Sequence, residues 1–249
     1  MKTVIAVPMR DLPSAKSRLA QELGAVQTKR VAFDLFDLGQ RFFSTEFPEI
    51  DRVVVTPCRQ ITRVALGYGS EVVREPDTAR RNRDGETGLD AAAMLALNRA
   101  RKGGYEWLVI LPGDLPHLLK HEFRELLAQR NERRATIVPS HDGGTNALLL
   151  PVRDIPHEWT FAYGLGSAER HAGLLEQAGI GVKRLELPAL SQDVDTTDDY
   201  MLIASWWAAN GERIPLLNAA SAAAAFARMK SRADAHIKRG VLRVGARHA

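Results

Sequence analysis

Apolar strand-like segments alternate with helical segments along the first 200 residues, and this alternation restricts the chain to an α/β fold. The pattern predicts strands at residues 3–7, 52–56, 71–74, 105–111, 135–139, 146–150 and 182–187. It predicts helices from about residue 14 and at residues 28–43, 60–66, 88–101, 120–132, 167–178 and 196–207. Such an order indicates a mostly parallel sheet flanked by helices on both faces. The short polar linker 140–145 predicts one antiparallel hairpin within it.

The size and composition of the chain fit a single core with an appendage. Its 249 residues are 45% hydrophobic, which is enough for one sizeable core. We therefore predict one domain at 1–212 and a helical C-terminal extension at 213–249. The single cysteine, Cys58, excludes an internal disulfide and fits a reducing compartment. No signal peptide and no membrane-length apolar run is recognised, so we expect a cytoplasmic protein without a membrane partner.

The basic charge of the chain lies in its C-terminal extension. The formal net charge is +4, but residues 213–249 carry eight Lys or Arg and one acid, which leaves the rest slightly acidic. Residues 218–238 predict a helix with a narrow apolar stripe. Such a stripe fits docking on the chain's own domain or on a second subunit, which would form a homodimer. Nucleic acid is a less favoured partner, because no aromatic platform accompanies the cations.

Acidic residues follow two of the predicted strands. Asp114 comes just after the apolar strand at 105–111, and Asp193 and Asp195 follow the strand at 182–187. Open α/β sheets bind ligands beyond the carboxyl ends of their strands, and carboxylates there suit a hard cation that bridges phosphates. The arrangement suggests metal-assisted phosphoryl chemistry. The simpler alternative is that Asp114 only caps the following helix.

The loop after the first strand has the geometry of a phosphate site. It leads from Pro8 into a predicted helix, whose N-terminal N–H groups and dipole favour an anion, and Lys16 and Arg18 would add positive charge. The glycines of a Walker A or Rossmann motif are absent. Alternatively, Lys16 and Arg18 are ordinary exposed helix residues.

A second group combines glycines with hydroxyl residues. It contains Thr145 after two glycines, and Gly164 and Ser167 within a Tyr-Gly-Leu-Gly-Ser stretch. Glycine allows close approach of backbone to a ligand, and hydroxyls donate to phosphate or carboxylate oxygens. Taken alone, the group also fits turn glycines and an N-cap serine. His141 and His171 lack the spacing of a zinc site.

Together these segments resemble the guanylyltransferases of coenzyme F-420 biosynthesis, which act on 2-phospho-L-lactate, phosphoenolpyruvate or 3-phospho-D-glycerate. The resemblance spans about residues 3–202 and rests on five motifs in order. They are Val7-Pro8 with Ala15 to Leu19, Gly113 to Pro116, Asp142 to Leu149, Tyr163 to Ser167 with His171, and Asp193 to Thr196 with Asp198-Asp199. It implies a nucleotidyltransferase fold of the glycosyltransferase-A, Rossmann-like type. It also implies GMP transfer from GTP to a small phosphorylated carboxylic acid, with release of pyrophosphate.

The resemblance also implies roles for individual residues. Asp114, Asp193 and Asp195 would hold Mg²⁺, with Asp193 the weaker candidate. Lys16, Arg18 and Asp114 would serve catalysis, and Thr145, Gly164 and Ser167 would bind the acid. Pro8, Gly88 and Asp90 would contact the nucleotide. Relatives usually have Gly-Leu-Asn where this chain has Gly88-Leu89-Asp90, and an acceptor-only carboxylate would be compatible with guanine N1–H and N2–H₂.

Other functions remain open at the level of sequence. One is a related nucleotidyltransferase that uses another nucleotide or another acceptor, such as a sugar phosphate or a molybdopterin. Another is a non-catalytic nucleotide-binding protein that uses the basic extension. The sequence does not distinguish among the three acids, because they differ only by a hydroxyl, a methylene or the position of the phosphate.

Overall fold

A computed structural model describes residues 1–9, 19–21, 24–75, 88–192, 194 and 199. The chain divides into a unit at Met1–Ile203 and a unit at Ala204–Ala249, and all described residues belong to the first. The predicted helices from residue 14 and at 196–207 lie wholly or largely outside the described residues. The extension at 213–249, with its predicted helix at 218–238, lies entirely outside them.

The described part of the chain contributes seven strands to one mixed sheet. They are β1 (Thr3–Pro8), β2 (Asp51–Thr56), β3 (Glu71–Arg74), β4 (Trp107–Ile110), β5 (Ala135–Pro139), β6 (Thr145–Pro151) and β7 (Val182–Arg184). Their spatial order is β3-β2-β1-β4-β6-β5-β7, so β4 is the central strand. Only β6 runs antiparallel to its neighbours, which confirms the mostly parallel sheet and the single hairpin.

Five α-helices among the described residues connect these strands. They are α1 (Ala25–Glu46), α2 (Arg59–Gly67), α3 (Gly88–Lys102), α4 (Lys120–Ala128) and α5 (Ser167–Gln177). The sheet is buried on both faces, as the near-continuous apolar strands require. Leu108 and Ile110 of β4 pack toward α3 and α5, whereas Trp107 and Val109 pack toward α1 and α4.

Three predicted elements are clearly shorter than expected. The central strand, predicted at 105–111, is observed as β4 at Trp107–Ile110. The helix predicted at 120–132 is α-helical only to Ala128, and its last turn, Gln129–Glu132, is a 3₁₀ helix that ends at Arg133 in a left-handed conformation (φ 51°). The strand predicted to reach residue 187 ends at Arg184, because β7 is an edge strand that pairs with only three residues of β5. Beyond it the amide of Leu185 still donates to the carbonyl of Ile137 (3.0 Å), and the later amides of Ala189 and Leu190 donate to a side chain instead.

Candidate active site

The carboxyl ends of β1 and β4 meet at the centre of one sheet edge. β1 and β4 are parallel neighbours, and the amide of Leu111 donates to the carbonyl of Ala6 (3.0 Å), so the chain after β4 continues beside β1. A Cβ on Gly113 would lie 2.7 Å from Sδ of Met9, which shows how closely the two segments approach. The close approach of these two segments positions Asp114, which is half-buried, at the same edge as Pro8.

Strand β6 brings Thr145 to the same edge. β6 pairs antiparallel with β4, with Leu148 opposite Ile110, so the start of β6 lies beyond the carboxyl end of β4. Asp114 therefore follows β4, and Thr145 begins the adjacent strand β6, at the same edge of the sheet. Their position agrees with the rule that open α/β sheets bind ligands at this edge.

The structure joins Thr145, Gly164 and Ser167 in one polar cluster. The hydroxyl of Ser167, which is 1% exposed, donates to Oγ1 of Thr145 (3.0 Å). The amide of Ser167 donates to the carbonyl of Gly164 (3.0 Å), and Gly164 has a φ of 112°, which favours glycine. Ser167 is also the first residue of α5, whose N-terminal amides and dipole favour an anion.

His171 is the buried residue that contacts this cluster through Thr145. It is fully buried; its Nδ1 lies 3.1 Å from Oγ1 of Thr145, and its Nε2 accepts the amide N–H of Ala162 (3.0 Å). The ring of Tyr163 contacts it edge-on at 4.7 Å between centroids. Burial lowers the pKa of His171 to about 4, against an upward effect of Asp90 and a smaller downward effect of Arg170.

Asp90 connects α3 to the loop that precedes α5. It is 6% exposed, and its Oδ1 accepts the amide N–H of Tyr163 (2.7 Å). Gly88 begins α3 two residues earlier. The structure therefore gives Asp90 a role in holding the loop, and a role for Gly88 and Asp90 in binding the nucleotide stays a prediction.

Four predicted site residues lie outside the described residues: Lys16, Arg18, Asp193 and Asp195. The described segment before Asp193 is nevertheless well anchored. The buried carboxylate of Glu122 accepts the amide N–H groups of Ala189 (3.1 Å to each oxygen) and Leu190 (3.0 Å). Glu122 thereby holds the backbone of Ala189 and Leu190 in place, a few residues before the predicted metal ligands.

Sequence reasoning did not assign functions to Glu122 or His171. A signal for His171 was available, because it lies four residues after Ser167 and so on the same face of α5. No comparable signal exists for Glu122, which is 67 residues from Ala189. Among the described residues, no group of three or more His, Cys, Asp or Glu side chains has the arrangement of a metal site.

Solved structures of nucleotidyltransferases share the fold of this chain. A putative nucleotide-diphospho-sugar transferase from Desulfovibrio desulfuricans G20 superposes with a TM-score of 0.62 at 13% identity, covering 83% of this chain and 87% of that one. A nucleotidyl transferase from "Methanothermobacter thermautotroptrophicus" gives a TM-score of 0.55 at 14% identity, covering 84% and 97%. At such identities the likeness concerns the fold.

Sequence comparison defines the family. The family model described as "Guanylyl transferase CofC like" matches residues 1–205, and the chain belongs to this family. The 3-phospho-D-glycerate guanylyltransferase of Colwellia psychrerythraea is 32% identical over 206 residues, covering 82% of this chain and 92% of the relative. The phosphoenolpyruvate guanylyltransferase of Conexibacter woesei is 34% identical over 204 residues, covering 80% and 86%. These matches confirm the resemblance inferred from the motifs.

Proposed function

We propose that this chain transfers GMP from GTP to a phosphorylated three-carbon acid and releases pyrophosphate. The observation that carries the proposal is the contact between the Thr145 and Ser167 hydroxyls at the sheet edge that also presents Asp114. The family supports guanylyl transfer, and the relatives named above act on 3-phospho-D-glycerate or phosphoenolpyruvate. The acceptor is one of these acids or 2-phospho-L-lactate, and the reaction belongs to coenzyme F-420 biosynthesis.

The Thr145–Ser167 cluster is suited to the acid substrate. It combines hydroxyl donors with the N-terminus of α5, and both favour the negatively charged oxygens of a carboxylate or a phosphate. Gly164 keeps the adjacent backbone open to close approach. We assign the nucleotide to the neighbouring part of the edge, near Pro8, Gly88 and Asp90.

Asp114 has the donor chemistry for Mg²⁺. Its carboxylate is half-buried beyond the central strand, and hard oxygen ligands are those that Mg²⁺ prefers. Asp114, Asp195 and, as the weaker candidate, Asp193 would hold the ion. When bound, Mg²⁺ neutralises charge on the phosphates of GTP and on the departing pyrophosphate.

The reaction needs positioning more than proton transfer. A phosphate oxygen of the acid forms a bond to the α-phosphorus of GTP, and the bond from that phosphorus to the β-phosphate oxygen breaks. The nucleophile is already anionic, so no general base is required. Lys16 and Arg18 would neutralise the developing charge, while the Thr145–Ser167 cluster holds the attacking phosphate in line.

A matrix of substrates tests the proposal. The full chain with Mg²⁺ is offered GTP, ATP, CTP or UTP with each of the three acids, and pyrophosphate release is measured. We expect release with GTP and at least one acid, and little with the other nucleotides. Asp114→Asn is the control for contaminating activity. Equal release without any acid, or a preference for CTP or UTP, would contradict the proposal.

Location and assembly are further proposals. Within the described residues, no helix combines the length and apolar character that crossing a bilayer requires. We propose that the enzyme works in the cytoplasm, where GTP and phosphorylated acids are present, and that it forms a homodimer through its C-terminal extension. Sedimentation of the full chain and of a chain ending at residue 213 tests the dimer, since only the full chain should sediment as one.

A further inference from the structure

We propose that His171 is a positioning residue, which donates from Nδ1 to Thr145 and thereby makes the Thr145 hydroxyl a donor toward the acid substrate. The inference rests on the proposed function for the identity of that substrate. It assigns a role to a side chain buried below the site, where a direct contact with the substrate is not required.

The hydrogen bonds of the ring determine its tautomer. A backbone N–H is always a donor, so the 3.0 Å contact from the amide of Ala162 requires Nε2 to be an unprotonated acceptor. The single proton of the neutral ring is then on Nδ1, which faces Oγ1 of Thr145 at 3.1 Å. The ring therefore donates to Thr145 and does not accept from it.

The surroundings keep the ring neutral. A proton on Nε2 would place two donors against each other, because the Ala162 amide already points at that atom. The ring is fully buried beside Tyr163 and Phe161, which disfavours the charged form. The charged groups that act on it are Asp90, which favours protonation, and Arg170, which opposes it.

The tautomer decides the direction of the hydroxyl protons. Thr145 and Ser167 together hold two such protons, and one of them bridges the pair, with Ser167 donating to Thr145. Oγ1 of Thr145 then accepts from both Ser167 and His171, so both of its lone pairs are occupied. Its own proton must point away from both, and an anionic substrate oxygen is a suitable acceptor. With the opposite tautomer, Nδ1 would instead take the Thr145 proton.

Two substitutions test the two ring nitrogens separately, because each replaces the hydrogen bond of only one nitrogen. In His171→Asn the side-chain amide nitrogen occupies the place of Nδ1 and still donates to Thr145. In His171→Gln the side-chain oxygen reaches the place of Nε2 and accepts from Ala162, but the donor to Thr145 is lost. If His171 only filled space, substrate binding would depend on the size of the new side chain and not on which hydrogen bond it keeps.

The test measures the KM values for the acid and for GTP in both variants, together with direct binding of phosphoenolpyruvate and 3-phospho-D-glycerate by calorimetry. In His171→Gln the hydrogen bond from the ring to Thr145 is lost, so the Thr145 hydroxyl is no longer held with its proton toward the substrate, and binding of the acid should weaken by up to roughly tenfold. We expect a smaller change in His171→Asn and little change in the KM for GTP. Equal acid affinity in His171→Gln and the unmodified chain would overturn the inference.

Nitrogen NMR of the histidine ring in the unmodified protein gives an answer that does not depend on variant folding. We expect the neutral Nδ1–H form with Nε2 unprotonated throughout the neutral pH range. An Nε2–H tautomer or an imidazolium would overturn the inference. If the chain binds the acid but releases no pyrophosphate, the proposed function fails while the tautomer and calorimetry still decide the role of His171.

Discussion

Glu122→Gln tests whether one buried carboxylate organises the segment that leads to the predicted metal ligands. Glu122 is 5% exposed in the first turn of α4, where the helix dipole favours a negative charge. Its two oxygens accept the amides of Ala189 and Leu190. A glutamine keeps one acceptor, but its NH₂ group must face a backbone N–H, so one charge-assisted hydrogen bond becomes a clash of donors.

The magnitude follows from these contacts. One hydrogen bond to a charged group contributes about 1.5–3 kcal/mol to the free energy of unfolding. Removing the desolvation cost of a buried carboxylate offsets part of that, so we expect a net loss of about 1–2 kcal/mol. Because Asp193 lies three residues beyond Leu190, we also expect the variant to need more Mg²⁺ for half-maximal turnover.

The assays are urea unfolding and a Mg²⁺ titration of pyrophosphate release. Glu125→Gln is the matched control, because Glu125 is on the same helix and exposed. The control should leave both the unfolding midpoint and the Mg²⁺ requirement unchanged. If Glu122→Gln matched the control in both measurements, the reasoning that Glu122 positions this segment would be refuted.

Four further predictions address the site. Asp114→Asn should abolish turnover without unfolding the chain, since a lost metal carboxylate costs several kcal/mol in the transition state; a near-normal rate at saturating Mg²⁺ would contradict the metal role. The alternative that Asp114 caps the following helix is wrong, because that helix begins at Lys120 and its N-cap is Leu119. Thr145→Ala should raise the KM for the acid more than that for GTP, because it removes the hydroxyl whose proton is directed at the anionic oxygen, a hydrogen bond that contributes about 1.5–3 kcal/mol to binding of the acid; steady-state kinetics would show this. Asp90→Ala should destabilise the fold more than Asp90→Asn, which keeps an oxygen for the Tyr163 amide; equal unfolding midpoints would count against that bond. Because burial lowers the folded-state pKa of His171 to about 4 from 6.5, the unfolded chain binds the proton first. Stability should therefore be lost as pH falls from about 6.5 to 4, by up to roughly 3 kcal/mol, and His171→Gln should flatten that part of the pH profile.

Local patterns were sufficient for most of the fold. The bounds of β3 and β5 agree with prediction, because apolar β-branched runs between polar turns depend little on distant contacts. The predicted end of β7 was wrong by three residues. The observed end depends on how far the partner strand β5 extends and on the hydrogen bonds that later amides donate to Glu122. Neither of these contacts can be read from the local sequence.

The site was predictable in its residue types and less so in its connections. Thr145, Gly164 and Ser167 were grouped from their motifs, and the structure places them in one cluster. The contact of His171 with Thr145 and the hydrogen bond from the Tyr163 amide to Asp90 join segments up to 73 residues apart. Such contacts depend on the packing of α3 and α5 on the sheet, which no motif encodes.

The most direct test of the central claim follows the oxygen that forms the new bond. Phosphoenolpyruvate or 3-phospho-D-glycerate carrying ¹⁸O in its phosphate is incubated with GTP, Mg²⁺ and the full chain, and the products are analysed by ³¹P NMR. The account predicts a product with two coupled phosphorus atoms, an ¹⁸O shift on the phosphorus that came from the α-position of GTP, and unlabelled pyrophosphate. Label in the pyrophosphate, or an α-derived phosphorus without an ¹⁸O shift, would contradict attack by the phosphate of the acid.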